Sequence, residues 1–188
     1  ATTNSKEISE KMRLLRSHGI TREKNKMVGT SEGDWYYQQV GLGFNYRMTE
    51  LQAALGISQM ERLDDFVVKR HILQEKYNSL LSSLPIIIPY QDKDCYSSLH
   101  LYPIQIELNK VSKSRAQIFN SLSKCGIGVN VHYIPIHTQP YFLNLGFSKG
   151  DFPNAENYYS GAISIPIFQS MRKDQQDQVI DALNSALN

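Results

Sequence analysis

Apolar side chains near the start, Ile8, Met12, Leu14 and Leu15, recur at roughly helical spacing, and Gly19 stands where a left-handed cap would close a helix. A helix over 6–18 is predicted. From Gly19 to Gly33 the chain is polar, charged and poor in β-branched residues, as in a surface loop, and 35–40 (Trp-Tyr-Tyr-Gln-Gln-Val) reads as a short strand closed by Gly41 and Gly43. The longest periodic stretch follows Thr49, an N-cap: Leu51, Ala54, Leu55, Ile57, Met60, Leu63, Phe66 and Val67 step by three and four, and Ile72, Tyr77, Leu80 and Leu81 continue the face until Pro85. One helix over 48–83, with Gly56 its weak point, is expected to connect two parts of the fold.

Beyond Pro85, strands are predicted at 86–88, 99–107 and 127–133. Between the last two, Ser112 caps a helix carrying Ala116, Ile118, Phe119 and Leu122 that ends before Gly126. A helix over 154–162, a buried strand at 163–165 and a last helix over 174–187 complete the pattern. The fold class is α/β. Residues 1–47 read as a strip that packs against something else, and 48–188 as one cooperative unit.

Two segments place polar and aromatic groups beside glycines. In 41–48, Gly41 and Gly43 allow close backbone approach, and Asn45 and Arg47 supply donors ahead of a helix N-terminus, a set suited to phosphate or carboxylate. Equally, Asn45 caps the turn and Arg47 pairs with a surface acid. In 126–137, a strand ending in Asn130, Val131, His132 and Tyr133 breaks at Pro135 and delivers these groups to a cleft rim, or else His132 and His137 are satisfied structural residues. His18, His71 and His100 look ordinary, and Glu61, Asp64 and Asp65 read as a solvated helix face. The chain contains no GxxxxGK[ST], HExxH, GxSxG or strand-linked GxGxxG.

Composition narrows the function classes. With 41% hydrophobic residues, 20 Lys+Arg and 18 Asp+Glu in mixed order, and a formal net charge of +2, there is material for a core and no basic face for nucleic acid or membrane. No apolar run approaches a membrane span. Cys95 and Cys125 stand apart from any CxxC or Cys/His cluster, which predicts neither disulfide nor metal site and suits the cytoplasm. Ala1-Thr2-Thr3-Asn4 carries no initiator Met and no leader, so the chain is expected to be a piece of a longer protein.

At these segments the sequence resembles a known family. The run 43–56 (Gly-Phe-Asn-Tyr-Arg-Met-Thr-Glu-Leu-Gln-Ala-Ala-Leu-Gly), with Gln59 and Leu63-Asp64, is similar to a stretch of the DegT/DnrJ/EryC1/StrS nucleotide-sugar aminotransferases. Residues 14–20 resemble the segment before it. The stretches 126–135, 139–141, 150–156 and 164–168 are similar to the subgroup that makes UDP-4-amino-4,6-dideoxy-N-acetyl-β-L-altrosamine in pseudaminic acid biosynthesis.

The resemblance implies the C-terminal small domain of the aspartate aminotransferase-like fold, reached by a long connecting helix, with 1–47 the trailing strip of the large domain. It implies a homodimer using pyridoxal 5′-phosphate (PLP) to move an amino group from glutamate to the C4 ketone of a UDP-4-keto-6-deoxy amino sugar. Asn45, with Arg47 beside it, is expected to reach the PLP phosphate or the bound sugar nucleotide in the neighbouring subunit; Asn130, Val131, His132 and Tyr133 are expected to line the sugar-nucleotide site. The Schiff-base lysine is expected upstream of Ala1, so no catalytic residue is assigned and the chain alone is expected to be inactive. A related sugar dehydratase, or a non-catalytic dimerisation module, would share most of these features.

Overall fold

The computed structural model describes residues 1–29, 33 and 35–188, in two compact units, 1–61 and 62–188. In the first, helix α1 (Lys6–Leu15) starts at Ser5, whose hydroxyl accepts from the Ile8 amide, and ends three residues short of the expected boundary. The reason lies in the exit. Ser17 N and Gly19 N both turn back to the Leu14 carbonyl, and His18 and Gly19 adopt left-handed φ of 63° and 70°. The chain then forms β1 (Ile20–Thr21), antiparallel to β2 (Gln38–Gln39), with Ile20 opposite Gln39 and Thr21 opposite Gln38. The predicted strand over 35–40 is therefore two residues long, because β1 offers only two partners and Tyr36 N closes a turn on the Gly33 carbonyl.

Helix α2 (Glu50–Met60) begins at Thr49 in a reciprocal cap: the Thr49 hydroxyl accepts from Gln52 N, and the Gln52 side chain accepts from Thr49 N. Helix α3 (Leu63–Leu81) follows. The single helix expected over 48–83 is thus two. Gly56 stays helical; the break comes at Arg62, whose φ of −107° and ψ of 2° leave helical geometry. A fresh helix start is stabilised there by Asp64 and Asp65 in the first turn, where negative charge meets the positive end of the backbone dipoles, and by the Arg62 guanidinium over the Phe66 ring.

The second unit contains a three-stranded antiparallel sheet in the order β3 (Ile86–Ile87), β4 (Tyr102–Ile106), β5 (Ala162–Ile165). Tyr102 pairs with Ile165 and Ile104 with Ile163. Helix α4 (Arg115–Lys124) is capped by Ser114 rather than Ser112, again reciprocally with Gln117, and ends before Gly126 at φ 76°. A short α5 (Pro140–Leu143), α6 (Pro153–Gly161) and α7 (Lys173–Leu187) complete the unit. Tyr77, Tyr102, Ile104, Ile118, Leu122, Ile163 and Leu183 are fully buried where α3, α4 and α7 meet the sheet. Gln176, buried with them, donates to the Leu73 carbonyl.

The strand expected over 127–133 does not form. Residues 127–129 are irregular, and Asn130 touches the sheet through one antiparallel bridge to Ser164. Gly126 and Gly128 weaken any strand here, and the Asn130 side chain bonds the Val131 amide at 2.8 Å, a local contact that competes with a ladder. The strand pairs among the described residues are all antiparallel.

The buried core lies entirely in the second unit. Among the described residues of the first, Thr21 and Gly19 are buried, while Leu42, Met48, Leu51, Leu55, Ile57 and Met60 are exposed. No helix among the described residues is long and apolar enough to cross a membrane.

Candidate functional site

The loop from 41 to 48 is fixed by backbone, not by side chains. Phe44 N donates to Leu15 O at 2.6 Å, His18 N to Phe44 O at 2.9 Å and Tyr46 N to Arg16 O at 2.9 Å, so Asn45 bridges Ser17 across the exit of α1. Gly43 makes this approach possible. A Cβ there would fall 2.6 Å from both the His18 carbonyl carbon and the Leu15 oxygen, neither of which can swing away. Phe44 and Tyr46 stack at 4.9 Å on the exposed side. The Asn45 amide and the Arg47 guanidinium, on the same loop, are exposed and make no hydrogen bond or ion pair among the described residues. Neither Asn45 as a side-chain cap nor Arg47 as one half of a surface pair is what forms.

These two donors fit a phosphate dianion: a planar guanidinium and a neutral amide, both exposed and without a protein partner among the described residues, on a loop of fixed backbone. A Schiff-base lysine is another matter, since it must reach the neutral amine. Lys26, in the same unit, lies 2.8 Å from Glu23 and 3.5 Å from Glu10, and its hydrogen bond to Glu23 raises its pKa, the wrong direction for that task.

In the second unit, Asn130, Val131, His132 and Tyr133 leave the edge of β5 together. Asn130 N donates to Ser164 O at 3.2 Å, and Ser164 N donates to Asn130 O at 2.7 Å. His132 is half-buried; its Nδ1 lies 2.8 Å from Ser164 Oγ, and its Nε2 lies 3.4 Å from Asn130 Nδ2. Tyr133 is exposed and meets the His132 ring edge-on at 4.7 Å. Ser164 was not among the expected site residues. Its signal was a hydroxyl in the otherwise apolar run Ala162-Ile163-Ser164-Ile165, where a buried polar group needs a partner.

His137 takes the structural role. It is 7% exposed, donates from Nε2 to Glu156 Oε1 at 2.8 Å and packs on Phe152. The same carboxylate oxygen accepts from Gly150 N at 2.6 Å. The His137 hydrogen bond, then that of Gly150, hold Glu156 below the ordinary carboxylate value of 4.5. His71 is likewise satisfied, donating from Nε2 to Ser97 O at 2.9 Å while stacking on Tyr96.

The DegT/DnrJ/EryC1/StrS aminotransferase family matches residues 1–184. The chain belongs to this family. It is 38% identical over 186 residues to the uncharacterized protein MJ1066 of Methanocaldococcus jannaschii, covering 98% of this chain and 47% of that protein. With a Campylobacter jejuni UDP-4-amino-4,6-dideoxy-N-acetyl-beta-L-altrosamine transaminase it shares 33% identity over 186 residues, 98% of this chain and 46% of the relative. Among solved structures, Helicobacter pylori PseC, an aminotransferase of pseudaminic acid biosynthesis, superposes with a TM-score of 0.84 at 28% identity, over 98% of this chain and 47% of that one. The fold is that of the PLP-dependent aminotransferases. The chain spans about half the length of the curated relatives it matches.

Proposed function

We propose that this chain is the C-terminal portion of a PLP-dependent aminotransferase that moves an amino group from glutamate to the C4 ketone of a UDP-4-keto-6-deoxy amino sugar, as a cytoplasmic homodimer. The observation that carries the reading is the family match along 1–184, joined to exposed donors at Asn45 and Arg47 that have no partner among the described residues, inside the motif that the resemblance singles out. That no described residue of 1–61 belongs to the buried hydrophobic core supports reading residues 1–47 as the trailing strip of a larger domain and 48–188 as the small domain, whose core lies in 62–188.

Bound PLP supplies an electron sink to the carbon that gains or loses the amino group. The residues of this chain bind and orient. Asn45 donates an amide N–H, and Arg47 a guanidinium fork, to phosphate oxygens of the cofactor or sugar nucleotide in the neighbouring subunit. Asn130, Val131, His132 and Tyr133 line the sugar side, with His132 and Asn130 offering polar groups and Tyr133 an aromatic face. The lysine that carries the cofactor belongs to the portion preceding Ala1.

The isolated chain tests this division of labour. Incubated with PLP and reduced with borohydride, it is expected to show no single lysine labelled stoichiometrically by peptide mass mapping. Stoichiometric label on one lysine, lost when that lysine is substituted, would overturn the assignment.

A further inference from the structure

We infer that Ser164 is a positioning residue that sets the tautomer of His132, so that His132 presents Nε2 to a ligand as a hydrogen-bond acceptor. The inference rests on the reading above that His132 lines the sugar-nucleotide site. Its geometry stands on its own. Ser164 is the one polar residue of β5, buried like its apolar neighbours Ala162, Ile163 and Ile165, so its hydroxyl needs a protein partner. His132 Nδ1, at 2.8 Å, is its partner. The backbone of the same serine holds Asn130 through two hydrogen bonds, so one core residue pins two neighbouring site residues to the sheet.

Asn130 fixes the direction in which the Ser164–His132 hydrogen bond runs, and that bond then holds the proton on one ring nitrogen. Its Oδ1 accepts from the Val131 amide at 2.8 Å, which orients the side chain so that Nδ2, a donor only, faces His132 Nε2 at 3.4 Å. A nitrogen facing a donor keeps its lone pair. The neutral ring therefore carries its proton on Nδ1 and donates it to Ser164 Oγ, leaving Nε2 as the acceptor. The long 3.4 Å contact leaves that lone pair open to a better donor, and the chemistry that supplies one is a sugar hydroxyl or amide N–H. Ser164 thus acts on the site through His132 without itself touching the ligand.

The test is long-range proton–nitrogen correlation NMR on the chain labelled with 15N-histidine, at about pH 8.5, above the ordinary imidazole range, with His132→Gln assigning the signals. Wild type is expected to show His132 protonated on Nδ1. Ser164→Ala is expected to lose that tautomer, and Ser164→Thr, which keeps the hydroxyl, to retain it. An Nε2-protonated ring in wild type, or an unchanged tautomer in Ser164→Ala, would overturn the inference. If Ser164→Ala does not fold, wild type and Ser164→Thr still decide, because an Nε2-protonated ring in either contradicts it. Titration of the complete enzyme with UDP-N-acetylglucosamine separates the two layers. The His132 Nε2 resonance is expected to move, with a half-saturating concentration about tenfold higher in Ser164→Ala, the loss of one oriented hydrogen bond. No response at Nε2 alongside the expected tautomer would overturn the sugar-nucleotide reading of His132 and leave the hold of Ser164 on the ring in place.

Discussion

Gly43→Ala is the substitution whose effect follows most directly from the geometry around Asn45. The added Cβ meets backbone of α1's exit, His18 carbonyl carbon and Leu15 oxygen at 2.6 Å each, and no rotamer relieves that contact. The chain has two responses. It can keep the loop in place and bear overpacking strain of about 1–3 kcal/mol or more. Alternatively it can release the loop and lose the bonds Phe44 N to Leu15 O, His18 N to Phe44 O, Tyr46 N to Arg16 O and Val40 N to Gly19 O, each contributing about 1 kcal/mol net. The cheaper response costs about 3 kcal/mol, which is on the order of 10²-fold in a local opening equilibrium. Hydrogen exchange of the Phe44, His18 and Tyr46 amides is expected to accelerate by that factor, while Ile104 and Ile163 amides in the second unit keep their rates. Undiminished protection at Phe44 and Tyr46 in Gly43→Ala would refute the claim that close backbone approach fixes the Asn45 loop.

Glu156 gives a pH dependence with a defined sign. Its folded pKa lies below its ordinary value of 4.5, chiefly through the His137 hydrogen bond, so it contributes stability above the ordinary carboxylate range that disappears as pH falls through the lowered folded value. In Glu156→Gln, the stability of the second unit by urea denaturation is expected to be lower at neutral pH and to fall less steeply on acidification than in wild type; parallel acid limbs would contradict this. Ile163→Ala, at the centre of the sheet and fully buried, is expected to destabilise the second unit by about 2–5 kcal/mol in the same assay. A change confined to the first unit would place the core wrongly.

The elements most legible in the sequence were those with punctuation at their ends. Thr49 starts α2 and Gly126 follows α4, because caps and left-handed turns act locally and leave a local signature. The break at Arg62 was not legible: apolar spacing runs through it without interruption, and what divides the helix is one residue's backbone geometry reinforced by neighbouring carboxylates. The strands failed for a different reason. Residues 35–40 and 127–133 have strand-like composition, but a strand needs a partner, and β1 and β5 offer two positions and one bridge. In the candidate site, the loops around Asn45 and His132 were visible as polar groups beside glycines, whereas the lone hydroxyl in the apolar run 162–165 marked only that Ser164 needs a partner, and that partner, His132, lies 32 residues away in sequence.

The measurement that tests the central claim most directly is product mass from the complete enzyme supplied with PLP, glutamate and a UDP-4-keto-6-deoxy amino sugar, run for wild type and Asn45→Ala. The expected product carries an amine in place of the C4 ketone, and Asn45→Ala is expected to lose kcat/KM on the order of 10²-fold, as for one charged hydrogen bond. A product that has lost a hydroxyl without gaining nitrogen, or full activity in Asn45→Ala, would contradict the claim.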